Sequence, residues 1–184
     1  MRICALFGGQ HKKGNTATAL EQVLAGARFA KHTTVRIDLA DLNIGHCKGC
    51  LACKKKNSNG CIQKDDMAKV LEEIQSADLL IFATPMYWWN VAAPLKIAID
   101  RMFALPFNVK NGETGFAGKK LLLVMTSGQP AESDGREGLE LVLKKMCDFT
   151  GMTWLGTITT GTNAIPVRDQ ENFCKSAYAF GASL

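Results

Sequence analysis

The hydrophobic positions along the chain follow two alternating patterns. Short continuous apolar runs recur five times and predict buried strands, at residues 3–7, 34–39, 78–84, 120–126 and 152–159. Between and after these runs, apolar residues recur every three or four positions and predict helices, as at Leu20, Val23, Leu24 and Ala27. Strand and helix therefore alternate along the whole sequence.

This alternation predicts an α/β fold in which helices cover both faces of a parallel sheet. Five strands favour the doubly wound, flavodoxin-like order 2-1-3-4-5 over the six-stranded order of dinucleotide-binding proteins. The 184 residues suit a single domain, 1–184, with irregular stretches at 40–64 and 104–118. In such sheets ligands bind beyond the carboxyl ends of the strands, so we expect the loops after strands 1, 3 and 4 to meet at one site.

The loop after strand 1, at 8–16, is rich in glycine and reads GGQHKKGNT. Its spacing is close to that of an ATP-binding P-loop, but Asn15 stands where that motif has a lysine for the terminal phosphates. A monophosphate such as that of FMN needs only backbone N–H groups at a helix start, an amide and a hydroxyl. The candidate ligands are Gly9, His11, Gly14, Asn15 and Thr16. The alternative is an ordinary turn in which Asn15 or Thr16 only caps the helix.

The loop after strand 3 carries three consecutive aromatic residues, within the segment TPMYWWN at 84–90. A flat apolar ring system needs an apolar wall with a few polar atoms at its edge. The candidate ring-binding residues are Pro85, Met86, Tyr87, Trp88, Trp89 and Asn90. The alternative is that some of these aromatic side chains pack on a neighbouring helix or on a second subunit.

The loop after strand 4 supplies candidate contacts to the polar edge of the same ring. These are Thr126, Ser127, Gly128 and Gln129. Gly128 permits a close backbone approach, and Ser127 and Gln129 offer donors of the kind that tune a flavin. Taken alone, this segment also suits an ordinary turn.

Four of the seven cysteines lie close together in the irregular stretch 40–64. Cys47, Cys50, Cys53 and Cys61 follow the spacing C-x2-C-x2-C-x7-C. Four thiolates at this spacing can ligate a 4Fe-4S cluster or a zinc ion. The spacing alone does not select between these metals. Thiols without a metal, free or in a reversible disulfide, are a third interpretation.

Taken together, these motifs resemble the NAD(P)H-dependent FMN reductase family of flavodoxin-like proteins, and in particular its iron–sulfur flavoprotein branch. The family's first loop often reads G-S-x-R-x-x-G-N-T. Gly14, Asn15 and Thr16 match that motif, whereas Gly9 and His11 stand in place of its serine and arginine. The cysteine spacing resembles the compact motif of the iron–sulfur flavoproteins.

The family's second loop reads like S-P-x-Y and is followed by a helix that contains K-x-x-x-D-R. Thr84 replaces the serine of this motif, and the matching residues are Pro85, Tyr87, Lys96, Asp100 and Arg101. The resemblance assigns Lys96, Asp100 and Arg101 to support of this helix and of a subunit interface rather than to the chemistry.

The resemblance implies an FMN-binding, NAD(P)H-dependent oxidoreductase. It would pass electrons from a nicotinamide through FMN to a flavin, quinone or similar acceptor, and it would form a homodimer or homotetramer. No side chain is expected to act as an acid or base, because the flavin carries the chemistry. The alternative is an iron–sulfur flavoprotein that transfers electrons between FMN and a redox protein partner. An NTPase is disfavoured because the P-loop lysine is missing.

Composition and charge predict the class of ligand and the cellular compartment. A net charge of +5 favours anionic ligands such as nucleotides, and the lysines form no stripe with interleaved aromatic residues that would predict nucleic-acid binding. No apolar run reaches the length of a membrane span, and no signal-peptide pattern is visible at the start. Seven cysteines without such a signal predict a reducing cytoplasm.

Overall fold

The computed structural model describes residues 1–108 and 113–184. Its strands are β1 (Arg2–Phe7), β2 (Thr33–Asp38), β3 (Leu79–Tyr87), β4 (Asn90–Val91), β5 (Phe107–Asn108), β6 (Glu113–Thr114), β7 (Lys120–Ser127) and β8 (Thr153–Gly161). Its α-helices are α1 (Asn15–Phe29), α2 (Met67–Ser76), α3 (Ala93–Arg101), α4 (Glu137–Thr150) and α5 (Glu171–Ala182). Part of the stretch predicted to be irregular at 104–118, namely 109–112, lies outside the described residues.

The five long strands form one parallel sheet in the order β2-β1-β3-β7-β8. Counted among the long strands alone, this is the predicted order 2-1-3-4-5, so the flavodoxin-like fold class is confirmed. The difference is the short strand β4, which pairs antiparallel with the end of β3 inside the segment predicted as a loop. A second small sheet pairs β5 with β6.

Alternate side chains of the central strands enter two separate cores. From β1, Cys4 and Leu6 join the core beneath α2, α3 and α4, whereas Ile3, Ala5 and Phe7 join the core beneath α1 and α5. Both faces of the sheet are therefore buried, which explains why its strands read as continuous apolar runs rather than as alternating patterns.

Helices α1 and α5 pack side by side through two glycines. A Cβ atom added at Gly26 would lie 2.0 Å from the carbonyl oxygen of Tyr178, and one added at Gly181 would lie 2.0 Å from that of Val23. The backbones of the two helices therefore approach more closely than any side chain at these positions permits. Along the part of the chain that the structure describes, no helix combines the length and the apolar character of a membrane span.

We expect Gly26→Ala to lower the free energy of unfolding by about 1–3 kcal/mol, the range for overpacking a close contact. The sign of this change in unfolding free energy is informative, because Gly→Ala at an open helix position has the opposite effect and stabilises a protein by up to about 1 kcal/mol. Gly138 in α4 is the matched control, since a Cβ there meets no atom within 4 Å. Urea unfolding measures both variants, and stabilisation by Gly26→Ala would contradict the close helix contact.

Candidate functional site

The three predicted loops meet at one cavity at the carboxyl end of the sheet. Its volume is about 230 Å³. Its lining includes Gly9, His11, Gly14, Asn15 and Thr16 from the first loop, Pro85, Met86 and Tyr87 from the second, and Thr126, Ser127 and Gly128 from the third. Sequence reasoning did not name Phe7, Gln10 and Thr162, which complete the lining. Thr162 directly follows β8. It could have been predicted from the sequence, because the carboxyl ends of all parallel strands lie at the same edge of the sheet.

Glycines let the first loop lie close against the body of the protein. A Cβ atom at Gly9 would lie 2.6 Å from the Phe7 ring, and one at Gly14 would lie 2.9 Å from the Cβ of His11. Gly14 is also the N-cap of α1 and has no side chain with which to cap that helix. The first N–H groups of α1 therefore meet the cavity without a capping side chain, as in sites that bind phosphate.

Asn15 and Thr16 tie the first loop to its neighbours. The Asn15 side-chain oxygen Oδ1 accepts a hydrogen bond of 3.0 Å from the backbone N–H of Val167. The Thr16 hydroxyl lies 2.6 Å from the buried hydroxyl of Thr126, at the end of β7. Only one of these two hydroxyls donates to the other, so the pair keeps one O–H for a ligand. Both residues thus position the loop as well as lining the cavity.

The aromatic segment forms a two-residue hairpin turn between β3 and β4. Trp88 and Trp89, the two central residues, have φ angles of 51° and 56°. Positive φ at both central positions defines a type I′ turn, for which asparagine and glycine are the usual residues. Residues with a Cβ atom in this conformation cost roughly 1–2 kcal/mol each. The Thr84 hydroxyl steadies the segment by accepting a 2.9 Å hydrogen bond from the N–H of Ala92.

The aromatic residues of this hairpin have different surroundings. Tyr87 is 53% exposed and lines the cavity. Trp88 is 90% exposed at the tip, and Trp89 lies against Gly135, where an added Cβ would be 2.6 Å from its Nε1. Trp88, Trp89 and Asn90 lie outside the cavity lining, as does Gln129, so their roles in ligand binding stay predictions.

The third loop is held by hydrogen bonds within itself and to β8. The Ser127 hydroxyl donates to the carbonyl oxygen of Gln129 over 2.6 Å. The backbone N–H and the hydroxyl of Thr162 both donate to the Ser127 carbonyl oxygen, each over 2.9 Å. The Ser127 hydroxyl is therefore occupied as a donor, and the loop presents its backbone and the Gly128 surface to the cavity.

A second candidate site lies in the cysteine-containing stretch. Cys47, Cys50, Cys53 and Cys61 all line one cavity of about 60 Å³. Two residues between these cysteines, Gly49 and Leu51, have positive φ angles of 63° and 54°. They turn the backbone at short intervals, so that cysteines three positions apart face a common space.

The remaining cysteines are structural. Cys4 and Cys147 are buried in β1 and α4. Burial raises the pKa of the Cys4 thiol to about 12 and that of Cys147 to about 11. Both therefore stay protonated at neutral pH and pack as small apolar groups. Cys174 is partly buried and donates to the carbonyl oxygen of Val167.

The arrangement of the four clustered thiols bears on the two metal interpretations. Across residues 1–108 and 113–184, no three cysteine, histidine, aspartate or glutamate side chains converge closely enough for a single metal ion. Zinc requires its ligands to meet at one point about 2.3 Å from each sulfur. Each thiolate of a 4Fe-4S cluster binds a different iron, so the ligands surround a space instead. All four cysteines line this cavity, and thiolates are ligands for a cluster and for zinc alike, so both metal interpretations stay predictions.

A buried ion pair fastens this stretch to α3. Arg101 is 2% exposed, and its Nη1 and Nη2 donate to the two carboxylate oxygens of Asp65 over 2.7 and 2.9 Å. Nη1 also donates to the Gly45 carbonyl oxygen over 2.6 Å. The hydrogen bonds from Arg101 hold the pKa of Asp65 below its usual value. Asp65 in turn raises the pKa of Arg101, and nearby Cys61 acts in the same direction.

One donor of Arg101 is unused. Among the described residues, its Nε is the buried side-chain nitrogen or oxygen that lacks any hydrogen-bond partner. Leaving such a donor unsatisfied costs about 1–3 kcal/mol, and more for a charged group. The sequence motif had assigned Arg101 only to helix and interface support, and nothing in the spacing indicated that it reaches the cysteine cavity.

Comparison with known proteins gives a family and a set of relatives. A family model described as "flavodoxin-like fold" matches residues 1–182. An iron-sulfur flavoprotein of Archaeoglobus fulgidus is 41% identical over 101 residues, which cover 55% of this chain and 48% of that protein. The chain spans between 48% and 60% of the length of the curated relatives it matches.

Two solved structures illustrate the shared fold. An FMN-dependent NADH-azoreductase of Bacillus anthracis, in complex with FMN, has a TM-score of 0.70 at 16% identity and covers 100% of this chain and 97% of that one. An NAD(P)H:quinone oxidoreductase of Methanothermobacter marburgensis has a TM-score of 0.67 at 19% identity, with coverage of 99% and 98%. At such identities these matches establish the fold.

We expect Trp88→Asn to raise the free energy of unfolding by about 0.5–1 kcal/mol, because asparagine tolerates positive φ and Trp88 buries little surface. Trp88→Ala is the matched control, since it removes the same ring but keeps the backbone strain. Chemical denaturation measures both variants. Equal stability of the two would show that the strained turn is not the source of the effect.

Proposed function

The chain belongs to the family with the flavodoxin-like fold, and on this premise we propose that it is an FMN-binding, NAD(P)H-dependent oxidoreductase. The observation that carries the proposal is the convergence of three separate loops on one cavity beside the start of α1. Each loop alone also fits an ordinary turn, but ordinary turns have no reason to share a cavity. The FMN complex of the azoreductase with the same fold supports the choice of flavin.

In this proposal the first loop holds the phosphate of FMN. The N–H groups at the start of α1, the side chain of Asn15 and the hydroxyl pair of Thr16 and Thr126 are the donors. The helix dipole adds a favourable interaction with a negative group at this end. One terminal phosphate suits this donor set, which has no lysine for a triphosphate.

The other two loops hold the ring. Pro85, Met86 and Tyr87 provide an apolar wall, and Ser127 and Gly128 face the polar edge with their backbone. When bound, FMN would supply the hydride and electron chemistry. The side chains then need only orient the ring, exclude water from one face and stabilise negative charge at its polar edge.

The proposal extends to the electron donor and acceptor by class. A nicotinamide donor is supported by the azoreductase and the quinone oxidoreductase, whose names include NADH and NAD(P)H. A quinone, a free flavin or a similar flat acceptor fits a ring site that is open to the surface beside Tyr87. We propose the reducing cytoplasm as its location, because clustered cysteines that bind metal or carry redox activity are typical of a reducing compartment.

A second candidate function is favoured by the cysteine cavity. A 4Fe-4S cluster ligated by Cys47, Cys50, Cys53 and Cys61 would make the chain an electron-transfer protein between FMN and a redox protein partner. The relatives named iron-sulfur flavoproteins support this candidate. The lysines at 54–56 and Lys64 would offset the negative charge of four thiolates.

We also propose that the protein forms a homodimer or homotetramer. An apolar groove of about 440 Å³ runs between the ends of α3 and α4. Phe103 and Phe149 line it and are 46% and 64% exposed. Exposed apolar surface of this kind is typical of an interface.

The test is the visible spectrum of protein purified without oxygen, together with an iron assay and the mass of the extracted cofactor. We expect a flavin spectrum, the mass of FMN, and bleaching on addition of NADH or NADPH. Iron with a broad shoulder, and no reduction by either nicotinamide, would favour the electron-transfer candidate. The mass of FAD, or no flavin after incubation with FMN, would contradict both.

We expect Asn15→Asp to weaken FMN binding by about tenfold or more. The aspartate keeps an oxygen for the Val167 N–H, but it adds a negative charge beside the phosphate. Lys12→Ala is the matched control, because Lys12 is 56% exposed and pairs with Asp41 at the surface. Loss of such an exposed and screened charge should change FMN binding little. Equal losses in titrations with FMN would place the phosphate elsewhere.

A further inference from the structure

Arg101 lines two cavities, although its role in fastening the cysteine-containing stretch to α3 does not require this. Its terminal nitrogens bind Asp65 and the Gly45 carbonyl oxygen, which fixes the plane of the guanidinium. Arg101 lines the cysteine cavity. It also lines a larger cavity of about 410 Å³, and Cys53 and Cys61 line both.

The unused donor is what separates Arg101 from a simple anchor. Fastening the cysteine-containing stretch to α3 needs only Nη1 and Nη2, and these are already bonded. The buried Nε–H is left over, on a side chain that is 2% exposed. Buried donors in folded proteins are nearly always satisfied, so this Nε–H is available to an acceptor at the cavity wall.

Cys61 is the candidate partner for this donor, because its side chain already interacts with the Arg101 guanidinium and helps to raise the pKa of Arg101. Cys61 and Arg101 share the walls of both cavities. A neutral thiol is a weak acceptor, whereas a thiolate bound to iron accepts hydrogen bonds well. A hydrogen bond from this donor to Cys61 is therefore strongest when that sulfur is a metal-bound thiolate.

We propose that the Nε–H of Arg101 donates a hydrogen bond to the sulfur of Cys61 when that cysteine ligates a 4Fe-4S cluster. This inference rests on the cluster-containing candidate of the proposed function. Asp65 orients Arg101, and Arg101 orients and stabilises the ligand sulfur, in the manner of the second-layer contacts that tune metal sites. A hydrogen bond to a ligand sulfur stabilises the more negative, reduced cluster and so raises its reduction potential. Arg101 is thus a positioning residue that sets the potential.

The first test uses the unmodified chain. Protein grown with ¹⁵N-arginine is isolated without oxygen, assayed for iron and reduced, and pulsed EPR then searches for ¹⁵N coupling to the cluster. We expect a weak coupling that disappears in Arg101→Lys. Iron without any arginine coupling, or with coupling that persists in Arg101→Lys, would overturn this inference. Absence of iron would overturn the cluster candidate itself, and this inference with it.

The second test measures the cluster's midpoint potential. Asp65→Asn/Arg101→Met removes the donor while it leaves the net charge unchanged and no buried charge unpaired. We expect reduction to become about tenfold less favourable, which is 59 mV for a one-electron couple. Lys48→Gln is the matched control, because it removes one exposed positive charge from the rim of the same cavity. A shift in the control at least as large as in the double variant would show that only long-range charge matters.

Discussion

The position of the candidate ligand site depends on one constraint: two neighbouring strands are followed by helices that pack on opposite faces of the sheet. β1 and β3 are adjacent, yet the chain leaves β1 into α1 on one face and leaves β3 into α3 on the other. The loops above these strands must therefore part, and the gap between them is the cavity. Burial of both faces fixes this arrangement, because no helix can change sides without exposing an apolar core.

Much of this arrangement follows from the sequence because burial leaves a periodic pattern. The five long strands and five helices lie close to the predicted ranges, and eleven of the fifteen proposed cofactor residues share one cavity lining. The pattern did not predict β4 or the turn at Trp88 and Trp89, because tryptophan is a poor residue for positive φ. Propensity fails where tertiary context imposes strain.

The cysteine-containing stretch is the other place where the sequence alone did not predict the structure. Its spacing showed that four thiols are near one another along the chain, but an irregular segment carries no period that predicts where it packs. The fastening contact joins Asp65 to Arg101, which are 36 positions apart. A buried ion pair of this kind often selects one arrangement over others rather than adding much stability. Here the pair joins both ends of the cysteine-containing stretch, at Gly45 and Asp65, to α3.

Helix α3 has a consequence for how the sequence can change in evolution. Its nine residues begin just after the strained hairpin and end at Arg101, so one rigid rod of about 14 Å links the two candidate sites. Inserting or deleting a single residue in this rod would turn Arg101 by about 100° relative to the hairpin. Related sequences that keep both sites should therefore vary in the length of their loops but hold the number of residues in α3 constant.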